Sequence, residues 1–290
     1  AVWYSKKMKI PLITYITDLW PDNIISVTGT KNKVLIKAIS ALAKYIYHNS
    51  TKVLVSSPSF VQKISNLGIG SSKIKYWPHY AEDSYENSQI LTDEDLINSN
   101  INKDAFKIVH TGNIGTAQGL EILIPVAQKL KKENKSVQFI LIGDGRYKVK
   151  LIEKISEFEI DEFFAFIEQK PVEEVPAWAD LGDAFLLSLN SNGIYESYIP
   201  SKLQSYMRMG KAIIASARGV SAKIINEACA GLINDPNQPD ALFHNILKAI
   251  NSDQDELDKY GLNAQKYYEK YFDKHKLLNQ FDNWIEEIND

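Results

Sequence analysis

The stretch FKIVHTGNIGTAQG, residues 106–119, decides the fold class of this 290-residue chain. Its first half is apolar and rich in β-branched side chains, which predicts a buried strand over residues 106–111. Glycines follow at positions 112, 115 and 119, and the amphipathic pattern over residues 119–132 predicts a helix. The same order of strand, loop and helix recurs along the chain, so we expect an α/β protein with parallel sheets.

The alternation divides the chain into two unequal domains. It continues regularly over residues 104–270, where about six parallel strands are expected. Residues 81–103 are rich in Glu, Asp, Asn and Ser, which indicates an interdomain linker with one short helix. The preceding residues 1–80 form a partial first domain with only three expected strands, at residues 10–17, 52–56 and 73–77.

Composition excludes several classes of protein. The 33 Lys and Arg residues nearly balance the 36 Asp and Glu residues, which argues against a nucleic-acid partner. The single cysteine, Cys229, forms no internal disulfide, so a reducing, cytoplasmic location is expected. No apolar run approaches the roughly 18 residues of a membrane-spanning helix. The chain opens at Ala1 without the pattern of a signal peptide, and we expect it to be a fragment of a longer protein.

Two glycine-bearing loops follow predicted strands, at the sheet edge where ligands of parallel sheets bind. In Gly112-Asn113-Ile114-Gly115, the backbone could approach an anion closely. In Gly143-Asp144-Gly145-Arg146, Asp144 could cap the next helix and Arg146 could reach a phosphate. Neither loop has the spacing of a dinucleotide fingerprint or a P-loop. The alternative for both is a turn that binds no ligand.

A third loop, residues 191–202, leads from an apolar strand into a helix. Pro200 suits the first turn of that helix, and Ser201 and Lys202 lie at its amino terminus, which suits a diphosphate. Glu196 could accept hydrogen bonds from sugar hydroxyls. The alternative is an exposed loop with ordinary helix capping.

Four segments of the chain are familiar as a set. They are TDLWP at 17–21, HTGNIGTAQG at 110–119, FILIGDG at 139–145 and IPSKLQSYMRMGKAII at 199–214, with Tyr195-Glu196 before the last. In this order they resemble family 4 retaining glycosyltransferases of the GT-B fold. The similarity is strongest to the bacterial surface-polysaccharide branch that includes fucosamine and colanic-acid transferases, and it covers essentially the whole chain.

The resemblance implies two Rossmann-like domains, the first binding an acceptor and the second a sugar nucleotide. Residues 112–115 would lie against the diphosphate and the donor sugar, residues 143–146 would help form the nucleotide pocket, and Gln169 and Lys170 would meet the base. Asp18 matches the aspartate of the family's acceptor loop. Residues 271–290 look like the family's closing helix, which packs back on the first domain.

The chain departs from the family pattern at the donor loop. Members commonly carry two glutamates separated by seven residues, and these positions fall here on Ser197 and Ser205. We therefore expect Glu196 to orient the sugar, and Gln204 and Ser205 to bind the ribose. The family's basic pair near Asn113 and Gln118 is absent, so Lys202 is the expected substitute. The first strand and glycine loop of a complete acceptor domain are also missing, so the first Rossmann-like domain is expected to be incomplete.

The resulting expectation is a transferase that moves a hexose or N-acetylated hexosamine, with retention, to a lipid-linked or polysaccharide acceptor. The donor would be a UDP- or GDP-type sugar, with no metal or cofactor, and the protein would contact the cytoplasmic membrane peripherally. Acidic pairs at 93–95 and 253–255 are interpreted as helix caps. His110, beside the first glycine loop, is interpreted as a core or strand-end residue, with a substrate contact as the alternative. The alternatives are a non-catalytic nucleotide-sugar-binding subunit or a nucleotide-sugar epimerase.

The expected catalytic residues are Asp18, Glu196 and Lys202. The expected substrate-binding residues are the loop residues above together with Ser197, Tyr198, Ile199, Pro200 and Ser201.

Overall fold

The computed structural model describes residues 1–85, 91, 92, 95, 99–191 and 193–289. The chain forms two compact units. Unit 1 contains Ala1–Tyr80, Asn192–Ile199 and Phe272–Asp290, and unit 2 contains Ala81–Ser191 and Pro200–Tyr271. The end of the chain therefore belongs to unit 1. Part of the loop at residues 191–202 also belongs to unit 1, although the sequence analysis placed that loop in the second domain.

Unit 1 is built on a three-stranded parallel sheet in the order β1-β2-β3. The middle strand is almost entirely buried, as expected when helices cover both faces of a parallel sheet. Its strands are β1 (Ile13–Ile16), β2 (Lys52–Val55) and β3 (Ile74–Tyr76), and its helices are α1 (Val2–Met8), α2 (Asp22–Thr28), α3 (Lys33–Asn49), α4 (Pro58–Ser65) and, at the end of the chain, α12 (Lys274–Asn289).

Helix α12 is fixed to unit 1 through Trp77. The indole nitrogen of Trp77 donates to the carbonyl oxygen of Leu277 at 2.8 Å, and its ring lies 5.3 Å from that of Phe281. Lys52 and Glu287 form an ion pair at 2.7 Å. Leu277 and Trp284 are buried, so the helix contributes apolar side chains to the core of this unit.

Unit 2 contains a six-stranded parallel sheet in the order β6-β5-β4-β7-β8-β9. The expected α/β class with parallel sheets is therefore confirmed. The strands are β4 (Phe106–Thr111), β5 (Val137–Ile142), β6 (Phe164–Ile167), β7 (Ala184–Ser188), β8 (Ala212–Ser216) and β9 (Gly231–Asn234). The helices are α5 (Leu123–Lys132), α6 (Lys148–Glu157), α7 (Val175–Ala179), α8 (Ser201–Met209), α9 (Gly219–Ala228), α10 (Pro239–Asn251) and α11 (Gln254–Tyr271).

The direction of winding reverses between β4 and β7. The chain proceeds from β4 to β5 and β6 on one side, then returns to pair β7 with β4 and continues to β8 and β9 on the other. The loops that follow β4 and β7 therefore leave the carboxyl edge of the sheet in opposite directions. Such a reversal point is where doubly wound sheets bind ligands.

The linker and the acidic pairs are described in part. Residues 86–90, 93, 94 and 96–98 lie outside the described residues, and with them most of the expected linker helix and Asp93. Asp95 accepts hydrogen bonds from the backbone and hydroxyl of Thr92. Asp253 accepts a hydrogen bond from the backbone of Glu256 at the start of α11. Both are capping contacts.

Within the described residues, no group of three or more His, Cys, Asp or Glu side chains is placed to hold a metal ion. In the same residues, each helix is too short or too polar to cross a membrane.

Candidate functional site

The loops after β4 and β5 are joined by backbone hydrogen bonds that extend the sheet beyond its strands. Gly112 donates to the carbonyl oxygen of Ile142 at 2.8 Å, and Ile114 donates to that of Asp144 at 2.8 Å. Tyr147 donates in turn to Ile114 at 3.1 Å. Ile114 is buried in the core, so this residue supports the loop, while Gly112 and Asn113 remain exposed.

A cavity of about 580 Å³ opens at the carboxyl ends of β4, β5 and β6. This volume lies within the range of small-molecule sites. Its walls bring together six of the residues that the sequence analysis assigned to the donor: Gly112, Asn113, Gly143, Asp144, Gln169 and Lys170. The remaining lining residues are Ile142, Pro171, Val172 and Val175.

Charged side chains near this cavity differ in how they are held. The ammonium of Lys170 lies 4.8 Å from the ring centroid of Trp178 and 3.9 Å from a carboxylate oxygen of Glu174. Lys148 is buried, donates to the carbonyl oxygen of Gly143 at 3.3 Å and pairs with Glu168 at 3.3 Å. Arg146 is exposed and makes no ion pair within the described part of the chain. Lys148 thus stabilises the second glycine loop. The sequence analysis did not predict this role.

Lys202, the second residue of α8, reaches the first glycine loop. Its ammonium nitrogen lies 3.0 Å from Nε2 of His110 and 4.0 Å from the position that a Cβ on Gly112 would take. Part of the side chain is exposed, but the ammonium end is enclosed. Burial lowers the pKa of Lys202 to about 7, because a low-dielectric site disfavours the charged form.

His110, at the end of β4, is fully buried. Its Nδ1 lies 3.4 Å from the carbonyl oxygen of Leu186 and its Nε2 lies 3.4 Å from that of Asn113. Burial, and then the neighbouring Lys202, hold the pKa of His110 well below its usual value. The imidazole is therefore neutral at physiological pH. The sequence analysis did not predict the contact between His110 and Lys202. The pairing of β4 with β7 brings these two positions together.

The first turns of α8 place the predicted ribose-binding residues, Gln204 and Ser205, and the predicted diphosphate-binding residue Ser201 differently. Gln204 is fully buried, and its amide nitrogen, turned toward the start of the helix, donates to the carbonyl oxygens of Pro200 and Ser201 at 3.0 Å each. Ser205 is half-buried and hydrogen-bonds the phenol of Tyr85. Ser201 is exposed. Of these side chains, Ser201 therefore has the most open access to a ligand.

Five of the remaining predicted site residues lie in unit 1, whereas Gly115, Gly145 and Pro200 lie in unit 2. Asp18 is exposed after β1 and lines a cavity of about 310 Å³ with residues of β1 and α3. Glu196 and Ser197 are half-buried in a short 3-10 turn, Tyr195–Ser197. The hydroxyl of Tyr198 accepts a hydrogen bond from the backbone of Leu19 at 3.0 Å, and Ile199 is buried. The hydrogen bond of Tyr198 fixes its segment to the loop that carries Asp18.

A histidine that the sequence analysis did not assign lies near Asp18. Nδ1 of His79 is 3.3 Å from the hydroxyl of Tyr15. Burial lowers the pKa of His79, and the charge of Asp18 opposes that shift. Asp18 opposes the shift because a nearby anion favours the protonated imidazole. His79, Tyr15 and Asp18 thus form one polar group at the carboxyl edge of the sheet of unit 1.

The chain folds into two α/β units with parallel sheets, as in the GT-B class of folds. Residues 92–267 match the family described as glycosyl transferases group 1. Because the match covers more than half of the sequence, the chain belongs to this family.

Related proteins support the same family. The chain is 27% identical over 243 residues to WcaI of Escherichia coli (strain K12), named for colanic acid biosynthesis, covering 82% of this chain and 58% of WcaI. It is 22% identical over 183 residues to the amylovoran biosynthesis glycosyltransferase AmsK of Erwinia amylovora, covering 63% of this chain and 45% of AmsK. The chain thus spans about half the length of these relatives.

Solved structures with low sequence identity share the fold. Alr3699/HepE of Anabaena, crystallised in complex with UDP, superimposes with a TM-score of 0.80 at 15% identity, covering 99% of this chain and 75% of that protein. Sucrose-phosphate synthase of Thermosynechococcus elongatus superimposes with a TM-score of 0.76 at 15% identity, covering 99% of this chain and 71% of that protein. The expected GT-B-like fold is confirmed.

Proposed function

We propose that this chain is the donor-binding part of a retaining glycosyltransferase of surface-polysaccharide biosynthesis. It would move a hexose or N-acetylated hexosamine from a UDP- or GDP-type sugar to a lipid-linked or polysaccharide acceptor. The observation that carries this proposal is the position of Lys202, whose enclosed ammonium lies beside the exposed backbone of Gly112. Within the described residues, no carboxylate forms an ion pair with Lys202, so an arriving anion does not have to displace one.

The diphosphate would bind between the glycine loop and the start of α8. Backbone N–H groups of the first helical turn and the positive end of the helix dipole favour an anion there. Lys202 adds a charge-assisted hydrogen bond. As the bond to the sugar breaks, negative charge develops on the leaving diphosphate, and these groups would stabilise it by preorganised electrostatics. The proposal assigns this role to the protein alone and calls for no cofactor.

The nucleoside would occupy the 580 Å³ cavity. Gln169 offers both a donor and an acceptor for the base, and Asp144 is exposed at the cavity wall. Gln204 is engaged by its own helix, so Ser201 and Ser205 are the better candidates for ribose contacts on α8. The complexes of Alr3699/HepE with UDP and with UDP-glucose support a nucleotide-sugar donor.

The acceptor would be recognised in unit 1, with Asp18 as the proposed polar contact. Names of the relatives, for colanic acid and amylovoran biosynthesis, support a surface-polysaccharide product. Such acceptors are assembled on lipid carriers, so the enzyme would act in the cytoplasm at the inner face of the membrane.

Residues 1–45 have the composition of a membrane-contact surface. Nine of the sixteen large apolar side chains that are exposed in the described part of the chain fall in this segment, among them Trp3, Tyr4 and Tyr45. The segment carries seven lysines and two aspartates. Aromatic and cationic side chains together suit an anionic lipid surface. We therefore propose that exposed side chains of this segment contact anionic headgroups.

Product analysis separates the proposed transfer from its alternatives. The protein would be incubated with UDP- and GDP-sugars and membranes that carry lipid-linked glycans. A transferase releases free nucleotide diphosphate and extends the glycan, whereas an epimerase returns an altered but intact sugar nucleotide. Binding of the donor without either product would indicate a non-catalytic subunit and contradict the proposal.

Vesicle sedimentation tests the membrane contact. We expect binding to phosphatidylglycerol vesicles but not to phosphatidylcholine vesicles, and reduced binding after Trp3→Ser with Lys6→Glu. Phe158→Ser with Lys150→Glu is a matched control, since Phe158 is also exposed but lies in unit 2. Equal binding by both double variants would contradict the assignment of membrane contact to residues 1–45.

A further inference from the structure

We infer that His110 and Lys202 form a proton-coupled anion site: His110 positions Lys202 beside Gly112, and Lys202 takes up a proton when a diphosphate binds. This inference rests on the proposed function, which it extends by assigning a role to a buried histidine. It makes His110 a positioning residue and Lys202 the group that contacts the ligand.

The hydrogen-bond geometry selects one form of the imidazole. Nδ1 of His110 lies 3.4 Å from the carbonyl oxygen of Leu186. Nε2 lies 3.4 Å from the carbonyl oxygen of Asn113 and 3.0 Å from the nitrogen of Lys202. A protonated Lys202 can only donate, so the shorter of these two contacts requires Nε2 to accept and places the proton on Nδ1. With the proton on Nδ1, the ring donates to Leu186, and Nε2 is left to accept from the amine of Lys202 at 3.0 Å.

A neutral acceptor serves an anion site better than a carboxylate would. A buried carboxylate beside Lys202 would form an ion pair and neutralise the charge that the ligand needs. Nε2 of neutral His110 holds the amine in place without a counter-charge. The long side chain is thereby kept near Gly112, which reduces the side-chain entropy that is lost when a ligand binds.

Other titratable groups around Lys202 do not change protonation near neutral pH. From its own helix, Tyr206 accepts a hydrogen bond from the backbone of Thr111 at 2.9 Å, and burial raises its pKa. Burial likewise raises the pKa of Tyr85, which hydrogen-bonds Ser205. His110 faces Lys202 from β4 and is held neutral. The proton that accompanies an arriving diphosphate is therefore accepted by Lys202.

Calorimetry in buffers of different ionisation enthalpy counts the protons. At about pH 8, where a buried amine with a lowered pKa is largely neutral, we expect uptake of about one proton per UDP bound. Lys202→Met should abolish that uptake, which also corrects for protons exchanged by UDP itself. Binding of UDP by the unmodified chain without proton uptake would overturn the inference and leave the proposed function intact.

Variants at His110 test the positioning role. His110→Phe keeps the ring but removes the acceptor, and we expect UDP affinity to fall about tenfold, the scale of one hydrogen bond to a charged group. His110→Gln places an amide oxygen near the position of Nε2 and should restore most of the affinity and the proton uptake. Equal affinities for the two variants would show that His110 acts only through packing.

A measurement without nucleotide keeps the inference testable if the proposed function fails. Nitrogen NMR of the His110 ring should show the Nδ1–H neutral form throughout the range near neutral pH. Protonation near the ordinary histidine pKa, or the Nε2–H form, would overturn the inference. If no nucleotide binds, the proton count is made with inorganic pyrophosphate, and absence of pyrophosphate binding would also reject the anion site.

Discussion

Gly143 lies so close to Gly112 that a methyl group on Gly143 would overlap the carbonyl oxygen of Gly112. Gly143 also has a φ of 137°, in a region that other residues rarely adopt. The two loops that frame the 580 Å³ cavity therefore depend on a glycine at this position. Gly143 is therefore needed for the packing of these two loops, whether or not it also contacts a ligand.

Replacing this glycine tests the loop packing. We expect Gly143→Ala to lower the free energy of unfolding by about 2 kcal/mol or more, because it adds backbone strain to a steric overlap. Urea denaturation followed by circular dichroism measures the change. Gly193→Ala is the control, since a methyl group there meets nothing within 4 Å, and it should stay within about 0.5 kcal/mol. Equal effects of the two substitutions would refute the packing argument.

Lys202 should make stability depend on alkaline pH. Its pKa is about 7 in the folded chain against an ordinary value of 10.5, so between these values the unfolded state binds one more proton. Stability relative to Lys202→Met should therefore rise with pH in this window, by up to about 1.4 kcal/mol per pH unit. Urea denaturation of both proteins at a series of pH values measures the difference. A difference that is constant with pH would show that Lys202 titrates normally.

Asp18 should support the protonated form of His79. The pKa of His79 is lowered by burial, and the charge of Asp18 opposes that shift. Asp18→Asn removes the charge and keeps the size, so we expect the pKa of His79 to fall further. Proton NMR titration of the imidazole measures it, with His244 and His275 as internal controls. An unchanged or higher pKa of His79 would contradict the arrangement of this polar group.

Trp77 should contribute to the attachment of α12 through its hydrogen bond to Leu277. Trp77→Phe keeps an aromatic ring against Phe281 but removes the donor, and the expected loss is about 1 kcal/mol of unfolding free energy. Trp3→Phe is the matched control, because Trp3 is 70% exposed. Urea denaturation distinguishes the two variants. If Trp77→Phe were as stable as the control, the hydrogen bond to Leu277 would make no contribution to the attachment of α12.

Parallel-strand periodicity made most of the fold predictable. Each strand of unit 2 is a short apolar run between a helix and a polar or glycine-bearing loop, and β5 is buried at all six positions. Helices α1 and α2 were not predicted. Each has only seven residues and lacks a side-chain cap hydrogen bond at its amino terminus, so their sequences carry little of the periodic and capping signal that identifies a helix.

The candidate site was predictable in its loops but not in its side-chain contacts. Gly112, Asn113, Gly143 and Asp144 do line one cavity, because parallel strands deliver their following loops to one edge. The contact between His110 and Lys202 depends on strand order, which the pattern of apolar runs does not specify. The rotation of α8 likewise decides that Gln204 is buried and Ser201 is exposed.

The donor-site proposal is tested most directly by calorimetric titration of the chain with UDP, GDP and their common sugar conjugates. We predict that one diphosphate binds with micromolar to sub-millimolar affinity and that Lys202→Met weakens this binding at least about tenfold. Lys223→Met, which removes the same charge from an exposed ion pair with Glu227, should bind as the unmodified chain does. Failure of every diphosphate to bind, or equal binding by both variants, would contradict the assignment of the donor site.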